Sequence, residues 1–218
     1  YIREFVKSGF TQADSVSAAD NNLEALLYDR TKFTITGNTV ASNVAQVDKD
    51  TNAFATPSTK ILDVASGTTL NGKQFQLSGT NIAGATFDVQ IDFANAGSTF
   101  TIGGNTYDIF DVGDPRAAVS GDEMTYQQMM DVMNMVVTGN LPANHNGLGN
   151  DAQEALDYDG AIKSANSAGT MSLSHDGKLA FGDLNFTTTQ ASISLHDSNS
   201  GDFTQPASVL SFNSNNAL

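Results

Sequence analysis

The chain contains no cysteine and no tryptophan. The first absence excludes disulfides, thiolate metal sites and a cysteine nucleophile. It does not place the chain in a redox compartment, although it suits one that works outside the cell without mispairing thiols. The second absence, with aromatics at 8% of residues and most of them in strand-like runs, leaves little from which to build a sugar cleft. Basic residues are scarce too: 10 against 24 acidic ones, a net charge of −14. No basic patch can neutralise phosphates, so nucleic acid and anionic membrane are not expected partners. No apolar run approaches the ~18 residues of a membrane-spanning helix. The chain shows no signal peptide and does not start at Met, so it is expected to be excised from something longer.

What is present is a moderately apolar chain of 218 residues, enough for one large or two small domains, rich in Gly, Ser, Thr, Asn and Asp. The central stretch is Thr99–Thr138. Thr99–Ile102 and Thr106–Phe110 read as a hairpin. Placing Gly104-Asn105 as a type II′ loop pairs Ile102 with Tyr107 and Phe100 with Ile109, all on one face. Asp122–Thr138 reads as a helix. Tyr126, Met129, Met130, Met133, Val136 and Val137 follow i, i+3, i+4, i+7 spacing and form one apolar stripe. Asp122 and Glu123 stand at its positive end, and Gly139 can end it in the left-handed conformation. The cluster Met124, Met129, Met130, Met133 and Met135 reads first as core filling; Met124 and Met135 lie off the stripe, and an interface is the alternative for them.

Elsewhere, Tyr1–Asp20 reads as a connector and Asn21–Asp29 as a short helix. Lys32–Thr36 and Val40–Val47 read as strands around a Gly37-Asn38 turn. Thr59–Ala65 suits one helical turn, with Thr59 as cap and Gly67 as stop. Gln74–Ser78 and Ala85–Phe93 form a hairpin. Phe87, Val89, Ile91 and Phe93 face one way in it, and Asp88, Gln90 and Asp92 the other, as in an antiparallel sheet with one wet face. Asp151–Ala168 reads as a second helix. Thr170–Ser174 and Lys178–Phe181 make a hairpin. A three-residue loop, His175-Asp176-Gly177, pairs Leu173 with Leu179 and Met171 with Phe181, with Gly177 in the left-handed position. Ala191–His196 and Ser208–Phe212 are the last strands. The expected fold class is α+β: β-rich antiparallel sheets and hairpins with one or two helices packed on one face. A boundary is expected near Thr36–Val44, with residues 1–40 as connector and start of the first β region, and residues 41–218 as the β-rich domain.

No catalytic constellation emerges. His145 sits in a Gly/Asn loop, His175 in a hairpin tip and His196 after a strand, none with convergent partners. Asp48–Asn52 and Asp197–Asp202 place oxygen donors at alternate positions, but neither carries the bidentate Glu of a full calcium loop, and both read as Asx-rich turns. Asp108/Asp111 and Asp122/Glu123 are paired carboxylates of the kind glycoside hydrolysis uses, without a cleft to serve. Catalytic, cofactor-binding and metal-ligating residues are therefore all assigned as none, no cofactor is expected, and the chain is not expected to be an enzyme.

Asn105–Phe110 followed by Asp122–Met133 resembles the outer domains of the FlgL family of flagellar hook-associated proteins, of the long Campylobacter and Helicobacter type. So do Leu173–Lys178, Ala191–Leu195 and Asp197–Asp202. Asn43–Val47, Asn52–Ala55, Leu62–Gly67 and the opening Tyr1–Phe10 with Val6-Lys-Ser8 fit the same pattern, so that scattered matches span most of Tyr1–Leu218. The resemblance implies a structural role at the junction between hook and filament, in an extracellular assembly exported by the flagellar secretion system. The implied partners are other copies of the chain, a neighbouring hook-associated protein and flagellin. The family's polymerising terminal helices are not seen in this sequence, so the fragment is expected to be monomeric by itself. The same composition suits the outer domain of a flagellin or hook protein, or an extracellular adhesin or glycan-binding module.

Overall fold

A computed structural model describes residues 30–111, 117–146, 151–200 and 202–203. The connector over Tyr1–Asp20, the helix over Asn21–Asp29 and the strand over Ser208–Phe212 lie outside the described residues. The fold is α+β. Among the described residues, nine strands, β1 (Arg30–Thr36), β2 (Thr39–Ala45), β3 (Gln74–Thr80), β4 (Thr86–Asp92), β5 (Thr99–Ile102), β6 (Asn105–Asp108), β7 (Gly169–Leu173), β8 (Lys178–Asp183) and β9 (Ser192–Asp197), are joined by two α-helices, α1 (Tyr126–Thr138) and α2 (Asp151–Ala168). The strands run β6-β5-β4-β3-β9-β1-β2-β8-β7 in one hydrogen-bonded series, antiparallel throughout. The series divides at β1 into two sheets. Arg30–Lys32 pair with β9, and Phe33–Thr36 pair with β2.

Alternation decides which faces turn inward. Phe87, Val89 and Ile91 of β4 are buried, while Asp88 and Gln90 are exposed. Leu179 and Phe181 of β8 and Ile193 and Leu195 of β9 join the same core cluster. The hairpin β7–β8 has the expected register, Leu173 opposite Leu179 and Met171 opposite Phe181, with Gly177 at φ +76.

The β5–β6 hairpin differs from expectation. Its loop is Gly103-Gly104, Ile102 faces Asn105, and Phe100 faces Tyr107, whose ring it stacks on at 5.0 Å. Both registers put Phe100, Ile102, Tyr107 and Ile109 on one face, so alternation could not separate them. Turn chemistry does. Gly103 and Gly104 both have positive φ, +59 and +86, as a type I′ turn requires, and two glycines adopt this at no steric cost.

Helix α1 also starts later than expected. Gly121–Glu123 form a separate 3-10 turn, and Thr125 is the N-cap. Gln128 Oε1 reaches back to accept the Thr125 backbone N–H at 2.7 Å, the returning half of a capping box. The first-turn N–H groups of Tyr126 and Gln127 donate to the carbonyls of Thr59 (3.0 Å) and Pro57 (2.8 Å). Asp122 and Glu123 therefore do not serve the helix dipole, and a neighbouring segment satisfies the exposed donors instead. That segment carries the second 3-10 turn, Ile61–Asp63, whose N-cap is Lys60. Thr59 Oγ1 instead accepts the N–H of Thr56. Gly139, at φ +74, ends α1 as expected, with Asn140 N–H reaching back to Met135 O at 2.9 Å.

Burial of α1 goes beyond its stripe. Ten of its 13 residues are buried. Met135, off the stripe, is fully buried, as is Met124 just before the helix, so neither is available as an interface. Only Gln127, Asp131 and Thr138 retain access to solvent, and Gln127 Nε2 bonds Asp131 Oδ1 along the helix at 2.9 Å. The buried polar residues have internal partners. Gln128 serves the cap, and Asn134 Nδ2 donates to Asn166 Oδ1 (2.7 Å) and Gly169 O (3.1 Å).

A helix buried on one stripe would tolerate Met135→Ala. Enclosure predicts that Met135→Ala costs about 2–5 kcal/mol, as Met133→Ala does, whereas Gln127→Ala stays within about 0.5 kcal/mol. Urea unfolding of the three variants measures this.

Candidate functional site

The residues that could carry chemistry lie on separate elements. His145 packs edge-on against the Tyr107 ring, centroids 5.6 Å apart. His175 is exposed at the β7–β8 tip. His196 lies within β9 rather than after it, opposite Arg30 on one side and Gln76 on the other. Among the described residues, no group of three His, Asp or Glu is placed to hold a metal ion.

Both acidic loops are Asx turns. Asp48 Oδ1 accepts the backbone N–H groups of Asp50 (2.9 Å) and Thr51 (2.8 Å). The Thr51 bond is the main reason its carboxyl is held below the usual range. Asp197 Oδ1 accepts from Asn199 (3.2 Å) and Ser200 (2.9 Å), and its other oxygen accepts the Ser200 hydroxyl. Asp202 pairs with Lys73 Nζ at 3.1 Å, and its carboxylate fills the space beside Gly67, where a Cβ would meet it at 2.7 Å.

The paired carboxylates face different partners. Asp108 accepts from Asn146 Nδ2 (3.2 Å), and Asp111 accepts the Ala117 N–H (3.3 Å). Glu123 binds Lys60 at 2.7 Å across an exposed gap, while Asp122 ties three loops together. Its carboxylate accepts the Leu70 N–H (2.6 Å), the Thr69 hydroxyl (2.9 Å) and Asn95 Nδ2 (3.0 Å). Asn95 in turn accepts from the Ser120 hydroxyl (3.1 Å) and the Asp122 N–H (3.3 Å). Burial pushes the Asp122 carboxyl up, but the donors from Leu70, Asn95 and Thr69 outweigh it and hold the group below the usual carboxylate range. Sequence reading took Asp122 as a helix-end charge. Its loop partners, 27 and about 50 residues away, leave no local signal.

The two ends of the described fold lie together. Arg30 stands opposite His196. Phe203 packs edge-on against Phe75, centroids 4.9 Å apart, and Phe75 stands opposite Asp197. The opposite end of the sheets is built from the β1–β2 turn, the β3–β4 loop, Gly139-Asn140 and residues 184–190. Asp183 N–H donates to Asn38 O (2.8 Å), Thr189 N–H to Gly37 O (3.0 Å) and Ile82 N–H to Val137 O (2.9 Å). This end exposes Ile35, Leu184 and Phe186, each about half accessible. In residues 33–41, 80–86, 139–140 and 182–192 the one charged side chain is Asp183, which is buried.

No family model, no curated protein and no solved structure matches this chain.

The Asp122 node gives a signed pH dependence. A carboxyl whose pKa is lowered by folding contributes stability that is complete above its unfolded value of about 3.9 and is lost as pH falls through the folded value. Asp122→Asn is expected to cost about 1–3 kcal/mol at neutral pH and to shrink the stability loss on acidification below pH ~4. Urea titrations repeated down the acid range read both effects.

Proposed function

We propose that this chain is the surface-exposed outer domain of a structural flagellar protein of the hook–filament junction type, with no catalytic role. The observation that carries the reading is the placement of the two ends. Arg30, beside His196 of β9, and Phe203, against Phe75 of β3, lie at the same end of the sheet. A module whose ends return to one base projects its other end outward, as the resemblance to the FlgL family implies for a central domain. Among the described residues the projecting end has no accessible charge, on a chain of net −14, and exposes the large apolar side chains of Ile35, Leu184 and Phe186, which suits contact with neighbouring subunits. The candidate carboxylates support a structural role as well, because each is engaged in holding loops. In this reading the partners are other copies of the chain, a neighbouring hook-associated protein and flagellin, and the location is extracellular.

Immunogold electron microscopy on source cells, with antibody raised to residues 30–203, tests it. A narrow band of gold where hook meets filament is expected. Gold along the whole filament or hook would assign the chain to a flagellin or hook protein. Gold elsewhere on the envelope would overturn the flagellar reading in favour of an adhesin.

A further inference from the structure

The sequence holds two Asn–Gly pairs, Asn71-Gly72 and Asn146-Gly147. In such a pair the glycine nitrogen can attack the asparagine side-chain carbonyl, because no Cβ obstructs its approach. Gly147 lies outside the described residues, and Asn146 Nδ2 is engaged by Asp108. Asn71 and Gly72 are both exposed, in the turn that leads into β3. Gly72 stands at φ +82 with open space beside it. Asn71 Nδ2, the group that would leave, has no hydrogen-bond partner among the described residues. Nothing steric therefore protects the pair.

What holds it is a clasp from the segment that follows β4. Asn95 N–H donates to Asn71 Oδ1 at 2.8 Å, and Gly72 N–H donates to Phe93 O at 2.7 Å. The electrophile and the nucleophile are thus each anchored to a neighbouring segment rather than to one another. The clasp is kept in place by the Asp122 carboxylate, which binds the Leu70 N–H and Thr69 hydroxyl on one segment and Asn95 Nδ2 on the other. Thr69 Oγ1 also accepts the Asn71 N–H at 3.1 Å.

We propose that Asn71 is a deamidation site whose rate is set by local opening of this clasp. Once Gly72 N–H leaves Phe93 O, the nitrogen loses its proton to hydroxide and bonds to Asn71 Cγ. The Cγ–Nδ2 bond breaks, and Nδ2 departs as ammonia after taking a proton back from water. Water then opens the succinimide ring at one of its two carbonyls, leaving aspartate or isoaspartate at position 71. The product acts on the contacts that delayed it. Aspartate adds a negative charge beside the Asp122 node. Isoaspartate lengthens the backbone by one carbon just before Gly72, whose N–H holds Phe93 and whose carbonyl accepts Asn199 Nδ2 at 2.9 Å. Conversion at Asn71 thus marks chains in which the node has opened and keeps it loosened.

Peptide mass mapping of the full chain during incubation at mildly alkaline pH tests this, with enzymatic methylation to read isoaspartate. Conversion at Asn71 is expected to be at least about tenfold slower in the native chain than in concentrated urea, the factor that one hydrogen bond is worth. Asp122→Ala, and the milder Thr69→Val at an exposed position, should each speed native conversion. Met135→Ala lowers global stability from the far end of α1 and should leave the Asn71 rate unchanged. Equal rates in native chain and urea overturn the proposal, as does an Asn71 that stays an amide in both. So does Met135→Ala speeding conversion as much as Asp122→Ala and Thr69→Val do, because the rate would then follow global unfolding.

Discussion

Helix α1 is enclosed, and the rest of the molecule is arranged around that constraint. An element with ten of 13 residues buried must meet apolar surface on nearly every side, and it must leave no backbone group at its ends unsatisfied. The first condition draws on both sheets and α2, whose inward residues form a single cluster with it. The second is met by distant chain. The carbonyls of Pro57 and Thr59 receive the first helical N–H groups, and the β3–β4 loop reaches the last turn through Ile82. Met suits such a position. Four methionines on α1 can conform to a strand face on one side and a helix on the other, where branched side chains would demand a single geometry. The Tyr126 hydroxyl, buried and pushed up in pKa out of any physiological titration, is held by Gln46 Oε1 at 2.8 Å and fixes the helix start to the end of β2.

Closing sheets around a helix requires long-range pairing. Strand β9 lies between β3 and β1, and its contacts with β3 join residues more than 100 positions apart, as in the Thr80–Ser192 hydroxyl pair at 2.9 Å. Without β9 the β3–β6 meander and the β1–β2–β8–β7 group have no shared hydrogen bonds. The tight fit at Gly79, where a Cβ would stand 1.9 Å from Ser192 O, shows how closely β9 is seated there. Such non-local pairing makes folding slow, and it holds the two ends of the described fold together once complete.

Much of this was legible locally. The β7–β8 register followed from requiring Met171, Leu173, Leu179 and Phe181 to share a face, because the competing two-residue loop scattered them. The same logic failed at β5–β6, where both registers satisfied it and the difference lay in the φ values that Gly103 and Gly104 alone supply. The α1 stripe was visible through its spacing. Its full burial was not, since the partners that admit the polar Asn134 to the interior, Asn166 and Gly169, come to the helix only through the fold. The Asp122 node was invisible for a related reason. Thr69, Leu70 and Asn95 come to it only through the fold. The candidate site resolved itself one residue at a time, and each acidic pair proved to serve a different loop.

Those carboxylates explain how a chain with so few basic residues holds its loops. Asp48, Asp183 and Asp197 each accept backbone N–H groups from the two or three residues that follow, and Asp122 accepts one from Leu70 across the fold. The counter-charge is the partial positive charge of the peptide group, and hydrogen bonds to an ionised acceptor are the stronger kind. Lysine is not needed for this, and the three lysine–carboxylate pairs in the described residues, at Lys60, Lys73 and Lys178, are at least partly accessible and contribute little. The acidic character thus has two separable parts. One portion of the carboxylates shapes turns and is consumed locally. The remainder gives the exposed surface its negative sign and leaves the end that carries Ile35, Leu184 and Phe186, free of accessible charge among the described residues, as a place without electrostatic opposition to another chain.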